Sequence, residues 1–434
     1  MSALLLEDPV PVRFEIIGTE QWLRASIPPE DLRKYALRCI RSAADLDPIY
    51  CYLGSQLLLM WDTETTGDPT RKKDGLHPHS KTSRMVLFQV GTRDIVYLVQ
   101  PELLRMYPHF KMLMENQNII HVAQNELFDF KFMLAKYGIH IVNMFCTMLA
   151  EQVLTAGQKG IKANLRSIVR RYRPCLTISK EVREEFTTFN GILTEKILYY
   201  AARDVALMFA VYDQQSTRLV EADLTQVAEL EFNCIPVTAE MELSGLIIVP
   251  ETLQLTLEYN TGEANRVQAE INRIYNAAMQ TRGVVRQGLF SDEEYRPVTL
   301  DLGSVKDKLA ALHALGLDVT STDSEVLEQL DHPIGPLIAE WMGYSKIITT
   351  YGERLINMIH PDTNRFHPRF LQMGEGESSE LDKTQSGSSE KGTTATGRYS
   401  SDAQQFPKEK KVYAKVTDPA LIHQLHGRFL AIAA

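Results

Sequence analysis

The chain has 434 residues, with 46 Lys and Arg against 55 Asp and Glu, for a formal net charge of −9. That length exceeds one ordinary core and implies two domains or more, while 23% charged and 44% hydrophobic residues fit a soluble globular protein and exclude a chain disordered throughout. The negative balance excludes wholesale wrapping of nucleic acid, so any such binding must come from local basic patches or from carboxylate-held metal ions.

No apolar run approaches the roughly 20 residues that span a bilayer, so no membrane partner is expected. The N-terminus, Met-Ser-Ala-Leu-Leu-Leu-Glu-Asp-Pro, lacks the basic and long apolar regions of a secretory signal. Five cysteines (Cys39, Cys51, Cys146, Cys175, Cys234) lie far apart without a C-x-x-C pair. They point to a reducing compartment with no disulfide framework and no zinc cluster.

In chain order, residues 13–55 carry little information. Leu57–Trp61 is a continuous apolar run, as in a strand buried on both faces. Met85–Val90 and Ile95–Val99 read as the next strands, joined by Gly91-Thr92-Arg93-Asp94. A polar, basic loop from Arg71 to Arg84 separates the first two and carries His77 and His79, which read as surface imidazoles before metal ligands. Strand Ile119–Val122, helix Leu127–Tyr137, strand Ile139–Val142 and helices to about Val220 follow. This order suggests an α/β layer with a mixed sheet. Residues 224–243, 251–280, Leu302–Leu315 and Ser324–Tyr351 read as helices, with Gly245 and Pro250 as punctuation. Gly374–Ala395, almost devoid of apolar residues, reads as a mobile loop, and Phe429–Ala434 as an apolar strand.

Asp62-Thr63-Glu64 sits at the carboxyl end of the first strand, where open α/β sheets place ligands. Period-two geometry puts Asp62 and Glu64 on one side, able to share an ion; a solvated strand end is the plainer reading. Asn125-Glu126-Leu127-Phe128-Asp129 lies at a strand-to-helix junction, where Asn125 is equally readable as a helix N-cap. Tyr200 and Asp204 project from one face of an apolar helix. Surface placement is common for such a pair, but a carboxylate amid Tyr199, Ala201, Ala202, Val205 and Leu207 needs a counter-charge. Hard divalent ions take oxygen ligands, and two of them about 3.5–4 Å apart promote in-line phosphoryl displacement. Three carboxylate sites and a tyrosine hydroxyl are what phosphodiester hydrolysis requires. Lys159, Lys162, Arg166, Arg170, Arg171 and Arg173 form a run of six bases without an acid, either a solvated helix face or a phosphate track.

In order, Asp62-x-Glu64, Asn125-x-x-x-Asp129 and Tyr200-x-x-x-Asp204 resemble the three motifs of the DEDD exonuclease superfamily in its tyrosine-bearing branch. Ala123–Asp129 followed by Tyr137-Gly-Ile is similar to the proofreading domain of family A DNA polymerases of the bacterial DNA polymerase I and phage type. The resemblance implies a 3′–5′ exonuclease on a ribonuclease H-like core. It implies that Asp62, Glu64 and Asp204 hold one metal ion, that Asp62 bridges to a second completed by Asp129, and that Tyr200 positions water. Mg2+ or Mn2+ would serve. Asn125, Arg166, Arg170 and Arg171 become candidate DNA contacts. The chain departs from the family at Cys146-Thr147-Met148, where an Asp often precedes Thr-Met.

The second half resembles the opening of the polymerase region of the same family at Ala239–Val249, its thumb at Ser321–Leu327 and Lys346–Tyr351, and its T-G-R-x-S-S motif at Thr396–Ser401. That motif makes Arg398 the candidate for a minor-groove contact near the primer end; Asp402–Pro407 is a shortened, altered form of the family's next segment. The catalytic aspartate that succeeds the Phe429–Ala434 strand in the family is absent, and no Asp or Glu lies beyond Asp418.

The expected organisation is an N-terminal segment over 1–50, the exonuclease domain over 51–220, a mainly helical thumb over 221–360 and a partial α+β palm over 361–434 with a flexible loop at 374–395. The expected function is proofreading hydrolysis of DNA 3′ ends, on single strands and primer-template, with synthesis only when a second polypeptide supplies palm and fingers. The expected location is the cytoplasm of a bacterial or phage-infected cell, at the nucleoid. The alternatives are a free-standing RNase D-like exoribonuclease and a non-catalytic docking subunit of a split polymerase.

Overall fold

The computed structural model describes residues 13–14, 36–40, 46–68, 70–71, 75–156, 158, 160–174, 191–248, 250–282, 297–351, 356–373 and 399–402. Lys159, Arg398, the 374–395 loop and the 429–434 strand lie outside them.

Strands β1 (Arg13–Phe14) and β2 (Ala36–Ile40) precede helix α1 (Leu46–Gly54). Strands β3 (Leu58–Thr66), β4 (Arg84–Gly91) and β5 (Ile95–Val99) then run as an antiparallel meander. Helices α2 (Pro101–Met106) and α3 (Pro108–Met114) lead to strand β6 (Ile120–Ala123), helix α4 (Glu126–Tyr137), strand β7 (Met144–Cys146) and helices α5 (Thr147–Leu154) and α6 (Leu165–Tyr172). Strand β8 (Ile192–Leu193) pairs with β1, and the 27-residue helix α7 (Glu195–Glu221) comes next. The main sheet has the order β2-β5-β4-β3-β6-β7, with parallel pairing everywhere except β3–β4 and β4–β5. It is the mixed sheet expected, and β4 and β5 are buried almost throughout because helices cover both faces.

Four elements differ from the sequence reading. β2 brings residues 36–40 into the sheet as an edge strand beside β5, which the low-information lead-in gave no sign of. β3 runs five residues beyond Trp61, since Asp62, Thr63 and Glu64 go on pairing with β4 before a register shift at Glu64/Thr65. The carboxylates therefore stand in the strand, at its carboxyl-terminal half. Ile139–Val142 is not a strand: Gly138 ends α4 in the left-handed conformation (φ 64°), Gly138 N–H bonds back to Leu134 and Ile139 N–H to Met133, and the buried Ile139 and Ile141 give the apolar contact that accompanies such caps. The strand begins two residues after Val142, as β7. Finally, Ser324–Tyr351 divides into two helices, Ser324–Glu328 and Ile334–Tyr351.

Helix α8 (Thr225–Ser244) packs against the α4 and α5 side of this sheet; Pro236 inside it lacks one ladder donor. The first compact unit runs to Gly245 and takes in, from further along the chain, Pro361–Thr363 and His367–Gln404. The second unit is built from strand β9 (Leu246–Ile247), helices α9 (Pro250–Thr281), α10 (Val305–Ala314), α11 (Ser324–Glu328) and α12 (Ile334–Tyr351), and strands β10 (Ile359–His360) and β11 (Arg365–Phe366). Its core is separate, centred on Val267, Ile271, Leu312, Ile334 and Ile338. Strands β12 (Phe370–Leu371) and β13 (Ser400–Ser401) pair antiparallel within the first unit. Among the described residues no helix is long and apolar enough to cross a membrane.

Candidate active site

The sheet presents Asp62 and Glu64 from one face of β3, with Gln89 and Leu87 of β4 directly opposite them. Gly91 lies on the same face as Gln89, and a Cβ there would stand 2.7 Å from Val205 Cγ1. The missing side chain lets α7 settle onto the sheet at Val205, which brings the neighbouring Asp204 towards Asp62. Asp204 is buried. Asp129 arrives from the first turn of α4, also buried, and its Oδ1 accepts a hydrogen bond from the Thr63 hydroxyl.

The structure thus gathers the four carboxylates predicted from sequence. Burial raises the Asp62 pKa well above the usual carboxylate range, and the charges of Asp129, Glu64 and Asp204 raise it further, in that order. Among the described residues, no three Asp, Glu, His or Cys side chains yet converge tightly enough to hold an ion as they stand; Asp129 is turned to Thr63. The donor chemistry nonetheless fits a hard divalent cation, because all four groups offer carboxylate oxygen.

Tyr200 lies on α7 one turn before Asp204, half-exposed, with the Arg203 guanidinium 5.5 Å from its ring centre. Arg203 Nε is also 3.8 Å from Asp204 Oδ1. Asn125 occupies the N-cap position of α4 but adopts a left-handed conformation (φ 55°), and its exposed side chain caps nothing. The N-cap position is as read, but without a capping hydrogen bond, and the residue is exposed.

Of the basic run, Arg166 and Arg170 are exposed on or beside the outer face of α6. Arg171 is engaged: its guanidinium pairs with the buried Glu151 and donates to the Lys162 carbonyl. His77 and His79 pack with His367, at 4.2 Å between the His77 and His367 ring centres. His367 Nδ1 donates to the Glu242 carbonyl, which leaves Nε2 to accept from Thr363. These rings tie a loop down.

Sequence reasoning missed Thr63, Gln89, Arg203 and Glu126. Glu126 is fully buried; burial raises its pKa well above the usual range, the Trp61 indole lowers it and the charge of Asp129 raises it. Gln89 had a visible signal, a lone amide inside the apolar run Met85–Val90. The others did not.

Residues 51–219 match the 3′–5′ exonuclease family, and residues 259–422 match DNA polymerase family A. The chain thus carries two regions, each similar to a domain of the family A DNA polymerases. Its exonuclease domain is of a metal-dependent type, and both matched regions are of kinds that act on nucleic acid. Relatives include DNA polymerase I of Rhizobium leguminosarum, 28% identical over 272 residues, covering 61% of this chain and 25% of that protein. DNA polymerase I of Borreliella burgdorferi is 24% identical over 348 residues, covering 79% of this chain and 36% of that protein. The chain therefore spans between a quarter and about a third of these family A relatives. A solved structure, the POL domain of Pol1 from M. smegmatis in complex with DNA primer-template and dNTP, shares the fold with a TM-score of 0.58 at 15% identity, covering 87% of this chain and 57% of that one.

Proposed function

We propose that this chain removes nucleotides from DNA 3′ ends by two-metal hydrolysis, as the proofreading part of a DNA polymerase at work in the bacterial or phage-infected cytoplasm. The observation that carries the reading is the clustering of Asp62, Glu64, Asp129 and Asp204, which raises the Asp62 pKa, inside a region matching the 3′–5′ exonuclease family. Four carboxylates so placed repel one another, and a cation is what makes the arrangement favourable. Asp62, Glu64 and Asp204 would hold one Mg2+ or Mn2+, and Asp62 with Asp129 a second. When bound, such ions supply Lewis-acid activation of water and neutralise charge on the leaving oxygen. Tyr200 orients the attacking water through its hydroxyl, and Asn125 meets the strand at the mouth of the site. Digestion of 3′-labelled and 5′-labelled DNA and RNA oligonucleotides with Mg2+ or EDTA tests the reading. Release of the 3′ label first, from DNA and only with the metal, is expected; metal-independent release or a preference for RNA would defeat it.

Arg166 and Arg170 lead the single strand in. Reversing both to Glu should weaken single-strand binding and flatten its salt dependence by about 1.4 in log–log slope, at roughly 0.7 per phosphate contact. An unchanged slope assigns them to a solvated face.

Synthesis, with Arg398 at the primer end, belongs to the proposal only together with a polypeptide that supplies palm and fingers. Helix α8 supports such a partner. Val227, Leu230, Val237 and Met241 stand 44%, 63%, 59% and 42% exposed at three-, seven- and four-residue spacing, an apolar stripe along one side. The helix carries Glu229, Glu231, Glu240 and Glu242 and no Lys or Arg, so a second copy would set acid against acid, whereas a basic, apolar surface complements it. Tyr399 and Gln372, on segments that match the polymerase family, bond to Thr238 and Glu231 of the same helix. A chain with Leu230→Glu and Val237→Glu should lose association with a separately expressed palm-and-fingers polypeptide in sedimentation and keep its nuclease rate. Association undiminished by the two charges places the partner elsewhere.

A further inference from the structure

Gln89 is fully buried in β4, and neither its Nε2 nor its Oε1 has a hydrogen-bond partner. A buried amide left unpaired is costly, and such groups in native proteins call for an explanation. The ladder sets Gln89 directly opposite Asp62. Opposite residues of an antiparallel pair share a face, with Cβ atoms about 4.5–5.5 Å apart, so the amide can reach the Asp62 carboxylate. The same face carries Gly91, where α7 closes in through Val205, next to Asp204. Gln89 is thus an unsatisfied donor opposite a carboxylate that has Asp129, Glu64 and Asp204 for neighbours and a backbone hydrogen bond from Thr63. The chain already uses this device once: the Thr63 hydroxyl donates to Asp129.

We propose that Gln89 is a positioning residue of the hydrolytic site, its Nε2 donating to one oxygen of the Asp62 carboxylate so that the other is presented towards Glu64 and Asp204. The assignment rests on the reading of Asp62 as a cation ligand. Groups that hold a ligating side chain in place typically contribute about 10- to 100-fold to metal affinity. An unpaired amide in this position is a burden to the fold.

The experiment compares the wild-type chain with Gln89→Leu, which keeps the bulk and removes the amide, and with Gln89→Met as a second apolar variant. Melting is followed in EDTA and across an Mg2+ titration, and nucleotide release is measured on a 3′-labelled oligonucleotide. Expected for both variants are a Tm in EDTA at or above wild type, an Mg2+ midpoint for thermal stabilisation raised at least about tenfold, and a lowered kcat with an unchanged KM for DNA. A merely structural glutamine would move Tm and leave the Mg2+ midpoint alone. An unchanged midpoint and kcat in a folded Gln89→Leu chain overturn the assignment, provided wild type responds to Mg2+. If wild type itself shows neither stabilisation by Mg2+ nor nucleotide release, the reading of the carboxylate site falls, and this inference with it.

Discussion

Asp62→Ala is expected to abolish nucleotide release while the protein remains folded. Asp62 is the carboxylate against which Asp129, Glu64 and Asp204 all press, so it is the ligand that both cations would share. Its loss removes water activation and leaving-group stabilisation together. Several kcal/mol of transition-state stabilisation, at tenfold per 1.36 kcal/mol, amounts to roughly a thousandfold or more in kcat. Asp204→Ala should behave alike, and Tyr200→Phe should be milder, roughly a hundredfold, because it takes away an orienting hydroxyl and no ligand. The stability effect runs the other way. Because the folded-state pKa of Asp62 is raised, its favourable contribution is complete below the unfolded pKa and is lost as pH rises through the folded value. In EDTA near neutral pH the buried acid is a liability that Asp62→Asn removes, so calorimetry should show a higher Tm for the variant, with the gap closing as the pH falls. Turnover at the wild-type rate by a folded Asp62→Ala chain would exclude the site.

Glu151→Ala should destabilise the nuclease unit by about 1–3 kcal/mol, the usual cost of leaving a buried polar group without its partner. Glu151 is 1% exposed on α5 and accepts from Arg171, from Tyr172 at 2.6 Å and from Gln215 at 2.8 Å. One carboxylate therefore ties α5 to α6 and α7. Its removal takes away the acceptor of the Tyr172 phenol, whose pKa burial already pushes up, and leaves Arg171 with the Lys162 carbonyl and Gln215 with the Thr147 carbonyl. For a unit of this size the loss corresponds to a Tm lower by about 5 °C. Below the melting transition kcat should stay near wild type, since Glu151 belongs to none of the proposed ligand positions. A Tm equal to wild type would mean that this network contributes nothing.

The site was legible because its residues obey local rules that survive folding. Asp62 and Glu64 share a face by strand period, Tyr200 and Asp204 by helix period, and both pairs end up where those periods place them. Gly138 was legible as chain punctuation only after the fact: two buried isoleucines behind a left-handed glycine look like a strand until the cap bonds to Leu134 and Met133 are seen. β2 could not be read because its partner, β5, lies more than fifty residues further on. The commitment of Arg171 to Glu151 was hidden for the same reason, as nothing local separates it from Arg170, one residue before it. Gln89 announced itself by polarity and concealed its purpose, since the opposite residue is fixed by register alone.

The first unit is not one continuous stretch of chain, and this bears on how it can be made. Gln152 of α5 donates to the Met373 carbonyl, 221 residues later, and the buried Glu242, paired with Lys131 of α4, accepts from the Phe370 amide. At a synthesis rate of about 5–20 residues per second, the earlier partner waits about 10 to 40 s for the later one. During that interval the groups that later receive Phe370 and Met373 are without these partners. The nuclease half of the chain is thus born unfinished and is completed by sequence belonging to the polymerase half. Cutting the gene at Gly245 would not release an intact nuclease domain; it would fix the protein at its nascent stage.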